Sequence, residues 1–175
     1  TPGYLEDANG GTLFLDEIAD MSPKLQSSLL RVLQEHRFMR LGSTKVRDSD
    51  FRLVCATNKR LLDEVRDGRF REDLYYRINV VNLDIPPLRD RQEDIIPLVI
   101  HFLEFFRAKF KKDVGPMTPD ALGALERFPW PGNVRQLKHA IERMVALHPG
   151  GPVSSADLSD IADDAELVAD VDEND

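Results

Sequence analysis

The chain has 175 residues, of which 42% are hydrophobic and 31% are charged, and its formal net charge is −8 at pH 7. This composition is typical of a globular protein and excludes disordered and fibrous classes. No apolar run approaches the roughly 20 residues that a membrane-spanning helix needs, so we expect no contact with a membrane. The single cysteine, Cys55, cannot form an internal disulfide, which fits a reducing, cytoplasmic setting.

Acidic residues are concentrated at the carboxyl-terminal end of the chain. From Asp157 onward there are nine Asp or Glu residues and no Lys or Arg. The rest of the chain is close to neutral, so charge does not indicate a nucleic-acid-binding surface. We expect residues 163–175 to form a disordered acidic tail. Because the first residue is Thr1 and not Met, we also expect a fragment or a processed chain.

The first half of the chain predicts strands that alternate with helices. An apolar run at residues 12–15 follows the turn signal at residues 9–11, which indicates a buried strand. Ser22 and Pro23 form the cap and first turn of a helix. The apolar stripe predicted on this helix consists of Leu25, Leu29, Val32 and Leu33. Further elements are predicted at residues 51–56 (strand), 61–65 (helical turn), 71–77 (helix) and 80–85 (strand).

After Pro86 and Pro87 the pattern predicts helices only. Four helices are expected, at residues 94–112, 118–128, 133–147 and 155–161, with Ser or Thr before the second and fourth, and Asn133 as the cap of the third. We therefore divide the chain into an α/β part at residues 1–88, a helical part at residues 89–162 and the tail at residues 163–175.

Two adjacent acids follow the first predicted strand. Asp16 and Glu17 come directly after the apolar run TLFL, the pattern of a Walker B motif. Such a strand places the first acid at its carboxyl end, where it can help bind Mg²⁺ beside phosphates. The second acid can polarise an attacking water. Taken alone, the pattern is equally compatible with two acids in a surface loop.

Polar and basic residues follow the later predicted elements. Asn58 ends the strand that begins near Phe51, where it can position a water or simply serve as a turn residue. Arg71 and Arg77 lie six residues apart in a basic and aromatic segment. An arginine donates a planar set of hydrogen bonds to phosphate, although surface ion pairs with neighbouring acids would explain the same residues.

An arginine in the first turn of the predicted helix 133–147 is electrostatically unusual. Arg135 lies where the helix dipole already presents positive charge. A nearby anion would remove this conflict, and helix N-termini bind phosphate.

The order and spacing of these motifs resemble the AAA+ module of sigma-54-dependent transcription activators, the bacterial enhancer-binding proteins. The resemblance covers roughly residues 3–147. The matching stretches are GGTLFLDEI (10–18), LLRVLQE (29–35), ATN (56–58), GRFREDLYYR (68–77), PPLR (86–89) and PWPGNVR (129–135). It implies an α/β fold of the AAA+ P-loop NTPase type, with a partial parallel sheet followed by a small helical lid subdomain.

The resemblance also implies roles for individual residues. Asp16 corresponds to the Walker B acid that binds Mg²⁺, through water, and Glu17 to the catalytic acid that polarises water. Asn58 corresponds to sensor I. Arg71 and Arg77 correspond to arginine fingers that reach the nucleotide of a neighbouring subunit.

The remaining implied features concern the lid and the assembly. Arg135 corresponds to sensor II, which reaches the γ-phosphate of ATP from the lid. Residues 37–50 lie where the family has a loop that moves with the nucleotide state. In the family, a homohexamer hydrolyses ATP with Mg²⁺ and remodels the sigma-54 RNA polymerase holoenzyme.

Several parts of the family pattern are absent from the sequence. It contains no G-x-x-x-x-G-K-[ST] motif, and no lysine follows a glycine. The Walker A loop and the sigma-54-contacting loop are therefore expected before Thr1, and no DNA-binding helix-turn-helix follows residue 150. Without the Walker A strand, segment 80–85 lacks its usual neighbour. We expect the α/β part to be poorly stable, to aggregate or to close up by non-native pairing, and the chain alone to hydrolyse little or no ATP.

Two alternatives remain open at this point. The chain can be a non-enzymatic module that docks onto or modulates complete activator hexamers. It can also belong to another AAA+ branch, although the stretches at residues 70–77 and 130–133 disfavour that interpretation.

Overall fold

The computed structural model describes residues 3–40 and 44–158 of the chain, so the predicted helix end near Ile161 and the acidic tail lie outside the described residues. The chain separates into two units, Thr1–Leu83 and Asp84–Asp175. Among the described residues, no helix is long and apolar enough to cross a membrane.

The first unit combines short strands with helices. Its elements are α1 (Tyr4–Asp7), β1 (Thr12–Leu15), α2 (Pro23–Glu35), β2 (Arg37–Met39), β3 (Val46–Asp48), β4 (Arg52–Cys55), α3 (Leu61–Arg66) and α4 (Glu72–Ile78), with a 3-10 turn at Ile18–Asp20. Strands β1 and β4 pair in parallel, from Thr12 opposite Arg52 to Leu15 opposite Cys55. Strands β2 and β3 form a separate antiparallel pair. The predicted strands at residues 12–15 and 51–56 are confirmed.

Helix α2 begins as the sequence predicts. The Ser22 hydroxyl accepts the N–H of Leu25 at 3.4 Å, and Pro23 occupies the first helical turn. The predicted apolar stripe is wrong at its first position, because Leu25 is 55% exposed. The buried face of α2 consists of Gln26, Leu29, Leu30 and Val32. A glutamine therefore takes a core position on this helix.

The core of the first unit forms where helices α2 and α4 pack beside the β1–β4 sheet. Its buried side chains are Ile18, Leu29, Leu30, Phe70 and Leu74. One face of the sheet stays open, because Phe14 is 59% exposed and its register partner Val54 is also exposed.

The strand predicted at residues 80–85 is wrong. These residues have no regular secondary structure, and their apolar side chains Val80, Val81, Leu83 and Ile85 are between 76% and 84% exposed. A strand needs a neighbour for its N–H and C=O groups, and no strand pairs with this segment in the described part of the chain. The segment has the apolar composition of a strand, but the described residues provide no neighbouring strand to order it.

The second unit is mainly helical. Its elements are 3-10 turns at Leu88–Asp90, Gln92–Asp94 and Ser155–Leu158, the helices α5 (Ile95–Phe110), α6 (Pro119–Arg127) and α7 (Asn133–Leu147), and the strands β5 (Val114–Met117) and β6 (Gly151–Val153). The three long helices are confirmed. The prediction that the second half contains helices only is wrong, because β5 and β6 pair in parallel. Both strands contain Gly-Pro, a pair depleted in strands, which explains why the sequence did not indicate them.

The core of the second unit surrounds Trp130. Its indole is fully buried, contacts the Phe128 ring at 4.7 Å between centroids, and donates from Nε1 to the Leu125 carbonyl at 2.8 Å. The other buried side chains are Leu88, Ile95, Val99, Leu103, Phe106, Val114, Ala121, Leu125, Leu137, Ile141, Met144, Val145, Val153 and Leu158.

The turn after Trp130 starts helix α7 in a way the sequence did not predict. Gly132, and not Asn133, is the cap residue, and its N–H donates to Gln136 Oε1 at 3.0 Å. A Cβ on Gly132 would lie 2.8 Å from the Cβ of Gln136, so only glycine fits there. The Asn133 side chain accepts the N–H of Leu88 at 2.8 Å. It therefore ties the beginning of the second unit to the start of α7.

We predict that Trp130→Ala lowers the free energy of unfolding of the second unit by about 3–5 kcal/mol, because it opens a large cavity and removes the indole hydrogen bond. Urea denaturation monitored by circular dichroism measures the change. Phe105→Ala on α5 is the matched control, since Phe105 is half exposed and its loss should cost clearly less. Equal costs for the two variants would contradict the central position of Trp130.

We predict that Cys55 reacts slowly with alkylating reagents. Burial at the end of β4 raises the pKa of its thiol from 9.0 to about 11, which lowers the thiolate fraction at pH 8 about 100-fold. The rate of iodoacetamide labelling should therefore keep rising to about pH 11. In urea the rate should return to that of an ordinary thiol, and an equally slow rate there would show that burial is not the cause.

We predict that the double substitution Val81→Lys and Leu83→Lys reduces self-association of the chain, because it places charge on an exposed apolar segment with unpaired backbone groups. Sedimentation velocity over a range of concentrations gives the fraction of monomer. Leu147→Lys, at a position that is 69% exposed at the end of α7, is the control and should leave association unchanged. If both variants behave alike, general charge and not this segment governs association.

Candidate functional site

The parallel pairing of β1 and β4 brings the ends of both strands to one edge of the sheet. The pairing continues beyond the strands, since Ala56 N–H donates to the Leu15 carbonyl at 2.9 Å and Ile18 N–H donates to the Ala56 carbonyl at 3.0 Å. Asp16 lies between these bonds, and Asn58 follows Ala56 by two residues. Carboxyl ends of parallel strands are the usual binding edge of α/β folds.

The two acids at this edge are both exposed. Asp16 accepts the N–H of Glu17 at 3.0 Å through one carboxylate oxygen. Glu17 has a φ of 51°, in the left-handed region that residues other than glycine seldom occupy. This backbone turns the chain sharply at the end of β1, and the next residue, Ile18, is fully buried and fixes the turn.

The loop that carries Asn58 is held from both sides. The Thr57 hydroxyl accepts the N–H of Lys59 at 3.1 Å. The Lys59 ammonium donates to Asp20 at 2.7 Å, and this contact raises the pKa of Lys59. Since Asp20 belongs to the turn after β1, the ion pair joins the two strand ends. The Asn58 side chain is exposed at this edge.

Arg71 lies directly before α4 and is paired within its own unit. Its guanidinium donates to both carboxylate oxygens of Asp73, at 2.9 and 2.7 Å, and to the Ser27 hydroxyl at 3.3 Å. The contact raises the pKa of Arg71 and lowers the pKa of Asp73. Both side chains are almost half exposed, so this ion pair is open to solvent and to competition.

Arg77 lies in the last turn of α4, where its guanidinium donates to the Leu33 carbonyl near the end of α2 at 2.8 Å. None of the hydrogen bonds of Arg71 or Arg77 among the described residues involves the acids at the sheet edge. The structure thus groups Asp16, Glu17 and Asn58 at one edge and places the two arginines at the α2–α4 contact.

The sequence did not indicate two residues that hold the chain before Arg71. Gln26 and Glu64 are buried polar residues that bond segment 69–71. The Glu64 carboxylate accepts two hydrogen bonds from Arg69, which lower the pKa of Glu64. A signal for Gln26 existed, because it precedes Leu29, Leu30 and Leu33 by three, four and seven residues, the spacing of a buried helix face.

The stretch at residues 37–50 contains the β2–β3 pair, which is tied to α1. Glu6 accepts hydrogen bonds from Arg40 through both carboxylate oxygens and a further one from Arg47 at 3.2 Å. The Arg40 contact lowers the pKa of Glu6. This cluster was also missed, because the three residues are far apart in the sequence.

Arg135 belongs to the second unit. It is exposed and is the third residue of α7, so it lies in the first turn as predicted. Among the described residues, no acid forms an ion pair with it. Its unfavourable position relative to the helix dipole is therefore not compensated within the described chain.

Residues 3–40 and 44–158 contain no group of three or more His, Cys, Asp or Glu side chains arranged to hold an ion. Asp16 and Glu17 offer exposed carboxylates, which suits Mg²⁺ that keeps waters and shares its other ligands with phosphate oxygens.

Comparison with known proteins identifies two family regions in the chain. Residues 1–84 match the Sigma-54 interaction domain, and residues 89–173 match the AAA+ ATPase lid domain. The matches together extend over almost the whole sequence.

Curated relatives include transcriptional regulators from several bacteria. The chain is 49% identical over 156 residues to the transcriptional regulatory protein ZraR of Klebsiella oxytoca, covering 89% of this chain and 35% of that protein. It is 51% identical over 160 residues to the Nif-specific regulatory protein of Azospirillum brasilense, covering 90% of this chain and 25% of that protein. The chain therefore spans only a quarter to a third of the length of these relatives.

Solved structures of NtrX from Brucella abortus are also similar. The complex of NtrX with ADP has a TM-score of 0.80 and 38% identity, covering 89% of this chain and 36% of that chain. The complex with ATP has a TM-score of 0.81 and 38% identity, covering 91% and 38%. These comparisons agree with the sequence motifs and with the placement of Asp16, Glu17 and Asn58 at one edge of the sheet. The chain belongs to the family of sigma-54-dependent transcription activators and carries part of their AAA+ module.

Proposed function

We propose that this chain supplies the catalytic edge, the arginine fingers and the lid of an AAA+ module that hydrolyses ATP to remodel sigma-54 RNA polymerase. The observation that carries the proposal is the parallel β1–β4 pairing, which brings Asp16, Glu17 and Asn58 to one exposed edge of the sheet. Nucleotide binding at this edge is supported by the solved relatives in complex with ADP and ATP.

The two acids at the end of β1 take different roles. Asp16 would hold Mg²⁺ through water, since this ion usually keeps several waters and shares its remaining ligands with substrate phosphates. When bound, the ion would supply positive charge that neutralises the phosphate oxygens of ATP. Glu17 accepts a proton from the attacking water or orients it, and its carboxylate is exposed at this edge of the sheet.

Asn58 orients the same water from the neighbouring strand. An amide is neutral, so it can donate to a phosphate oxygen and accept from the water without changing the charge of the site. The Lys59–Asp20 ion pair keeps the Asn58 loop beside the turn that carries the acids.

The arginines act on phosphate charge. Arg71 and Arg77 reach the ATP of a neighbouring subunit in a homohexamer, where Arg71 exchanges Asp73 for phosphate oxygens. Arg135 contacts the γ-phosphate from residues 89–162, which we propose as the lid subdomain. Its lack of an acidic partner in the described residues, in a helix turn that favours anions, supports this role.

The partner of the module is the sigma-54 RNA polymerase holoenzyme. The match of residues 1–84 to the Sigma-54 interaction domain supports this partner. Since the sequence contains no Walker A motif, we expect the 175-residue chain alone to turn over little ATP.

The test compares ATP turnover by this chain with turnover by the chain extended upstream through a Walker A segment, here called the extended chain. We predict that only the extended chain hydrolyses ATP, and that Glu17→Gln lowers its kcat by about 100-fold or more while ATP still binds. Glu126→Gln, an exposed glutamate on α6, is the matched control and should retain full turnover.

Turnover by the 175-residue chain itself would contradict the proposed dependence on a phosphate loop. Unchanged turnover in the Glu17→Gln variant would remove Glu17 from the mechanism. The second candidate function, a docking module for complete activator hexamers, is favoured by the exposed Arg71 in a chain without a Walker A motif. It predicts that added chain lowers the ATP turnover of the extended chain, and that Arg71→Ala weakens this inhibition.

A further inference from the structure

Gln26 is a completely buried polar residue in helix α2. Its side-chain amide makes three hydrogen bonds. Nε2 donates to the Met21 carbonyl at 2.8 Å and to the Arg69 carbonyl at 2.9 Å, and Oε1 accepts the N–H of Arg71 at 2.9 Å. A buried amide that lacked these partners would be destabilising, so the bonds explain how a glutamine occupies a core position.

The bonds of Gln26 fix the backbone on both sides of Phe70. The Gln26 amide bonds the Arg69 carbonyl, before Phe70, and the Arg71 N–H, after it. It thus satisfies the backbone groups that a neighbouring strand would satisfy in a sheet. The Glu64 carbonyl accepts the N–H groups of Arg69 and Phe70 at 2.9 and 3.0 Å. The Phe70 side chain is 3% exposed. Segment 69–71 is therefore held by α2, by α3 and by its own buried ring.

The side chain of Arg71 leaves from this fixed backbone. Its guanidinium contacts Asp73 and Ser27 at the surface and makes no hydrogen bond with Gln26. Gln26 thus fixes the backbone position from which the Arg71 side chain extends. The guanidinium itself is almost half exposed, so solvent or another anion can compete for it. Such a division suits a group that must reach a phosphate at a defined distance.

We propose that Gln26 is a positioning residue for Arg71. It sets the backbone from which the guanidinium reaches the phosphates of ATP in a neighbouring subunit, a role that rests on the proposed function of Arg71. Removing the amide takes away the partners of the Arg71 N–H and the Arg69 carbonyl in this part-buried contact, so we expect the segment to shift toward other partners. A displacement of about 1 Å in a positioned group is enough to slow a reaction roughly 100-fold.

The experiment is a double-mutant cycle in the extended chain with Gln26→Met and Arg71→Ala. Methionine keeps the length and volume of glutamine but removes its donor and acceptor. We expect Arg71→Ala to lower ATP turnover about 1,000-fold or more, and Gln26→Met to lower kcat and kcat/KM by the same factor, about tenfold to 100-fold. The double variant should be no slower than Arg71→Ala alone, because Gln26 acts only through Arg71.

Gln34→Met is the matched control, an exposed glutamine on the same helix, and should keep full turnover. If Gln26→Met does not fold, as judged by circular dichroism, Gln26→Asn enters the same cycle. Asparagine carries the same amide but is one methylene too short to bond residues 69 and 71 together.

The possible results separate the inference from the function on which it rests. The positioning role is overturned if the two losses of ATP turnover multiply in the double variant, or if the Gln26 variant keeps full turnover. In both cases the proposed function of Arg71 stands. Unchanged turnover in Arg71→Ala overturns both. Loss of turnover in each single variant with no further loss in the double variant supports the inference.

Discussion

The parallel pairing of β1 with β4 is the interaction on which the candidate site depends. Only four residue pairs form the ladder, yet its continuation through Ala56 fixes the turn after β1 and the loop after β4 together. Asp16 and Asn58 are 42 positions apart in the sequence and meet at one edge only because the strands share direction and register. A slip of β1 by one residue would move Asp16 and turn every side chain of β1 to the opposite face of the sheet.

A second feature of the structure is that buried contacts hold the backbone beside exposed arginine side chains. Segment 69–71 is bonded through its backbone by Gln26 and Glu64, while the guanidinium of Arg71 remains near the surface. The same division occurs in the second unit. The Trp130 turn fixes the beginning of α7, and the Arg135 side chain on that helix remains exposed. A backbone held by buried contacts and an exposed cationic side chain thus occur together at two unrelated places.

Local signals in the sequence predicted most of the regular elements. The Ser22-Pro23 and Thr118-Pro119 pairs marked helix starts correctly, and the run before Asp16 marked a strand. The prediction was wrong where a strand depends on contacts with distant parts of the chain. Segment 80–85 has the composition of a strand, but composition cannot supply a neighbour for its backbone. Strands β5 and β6 form in spite of Gly-Pro because the helical core holds them together.

The candidate site residues show the same difference between local sequence signals and long-range contacts. The sequence indicated the two exposed acids, Asn58 and the arginines because they belong to recognisable motifs. Their roles remain proposals. Gln26 carries no motif. Its importance comes from three bonds to residues before and far after it in the chain, and such contacts are visible only once α2 and segment 69–71 are in place.

If Glu17 has the catalytic role proposed above, its left-handed backbone opposes stability to activity at a single position. A residue other than glycine in this region costs about 1 kcal/mol or more, and asparagine tolerates it better than glutamate. Glu17→Asn should therefore raise resistance to heat while it removes the carboxylate. A laboratory selection for heat resistance alone would tend to discard the acid, so its retention depends on a selection that also demands turnover.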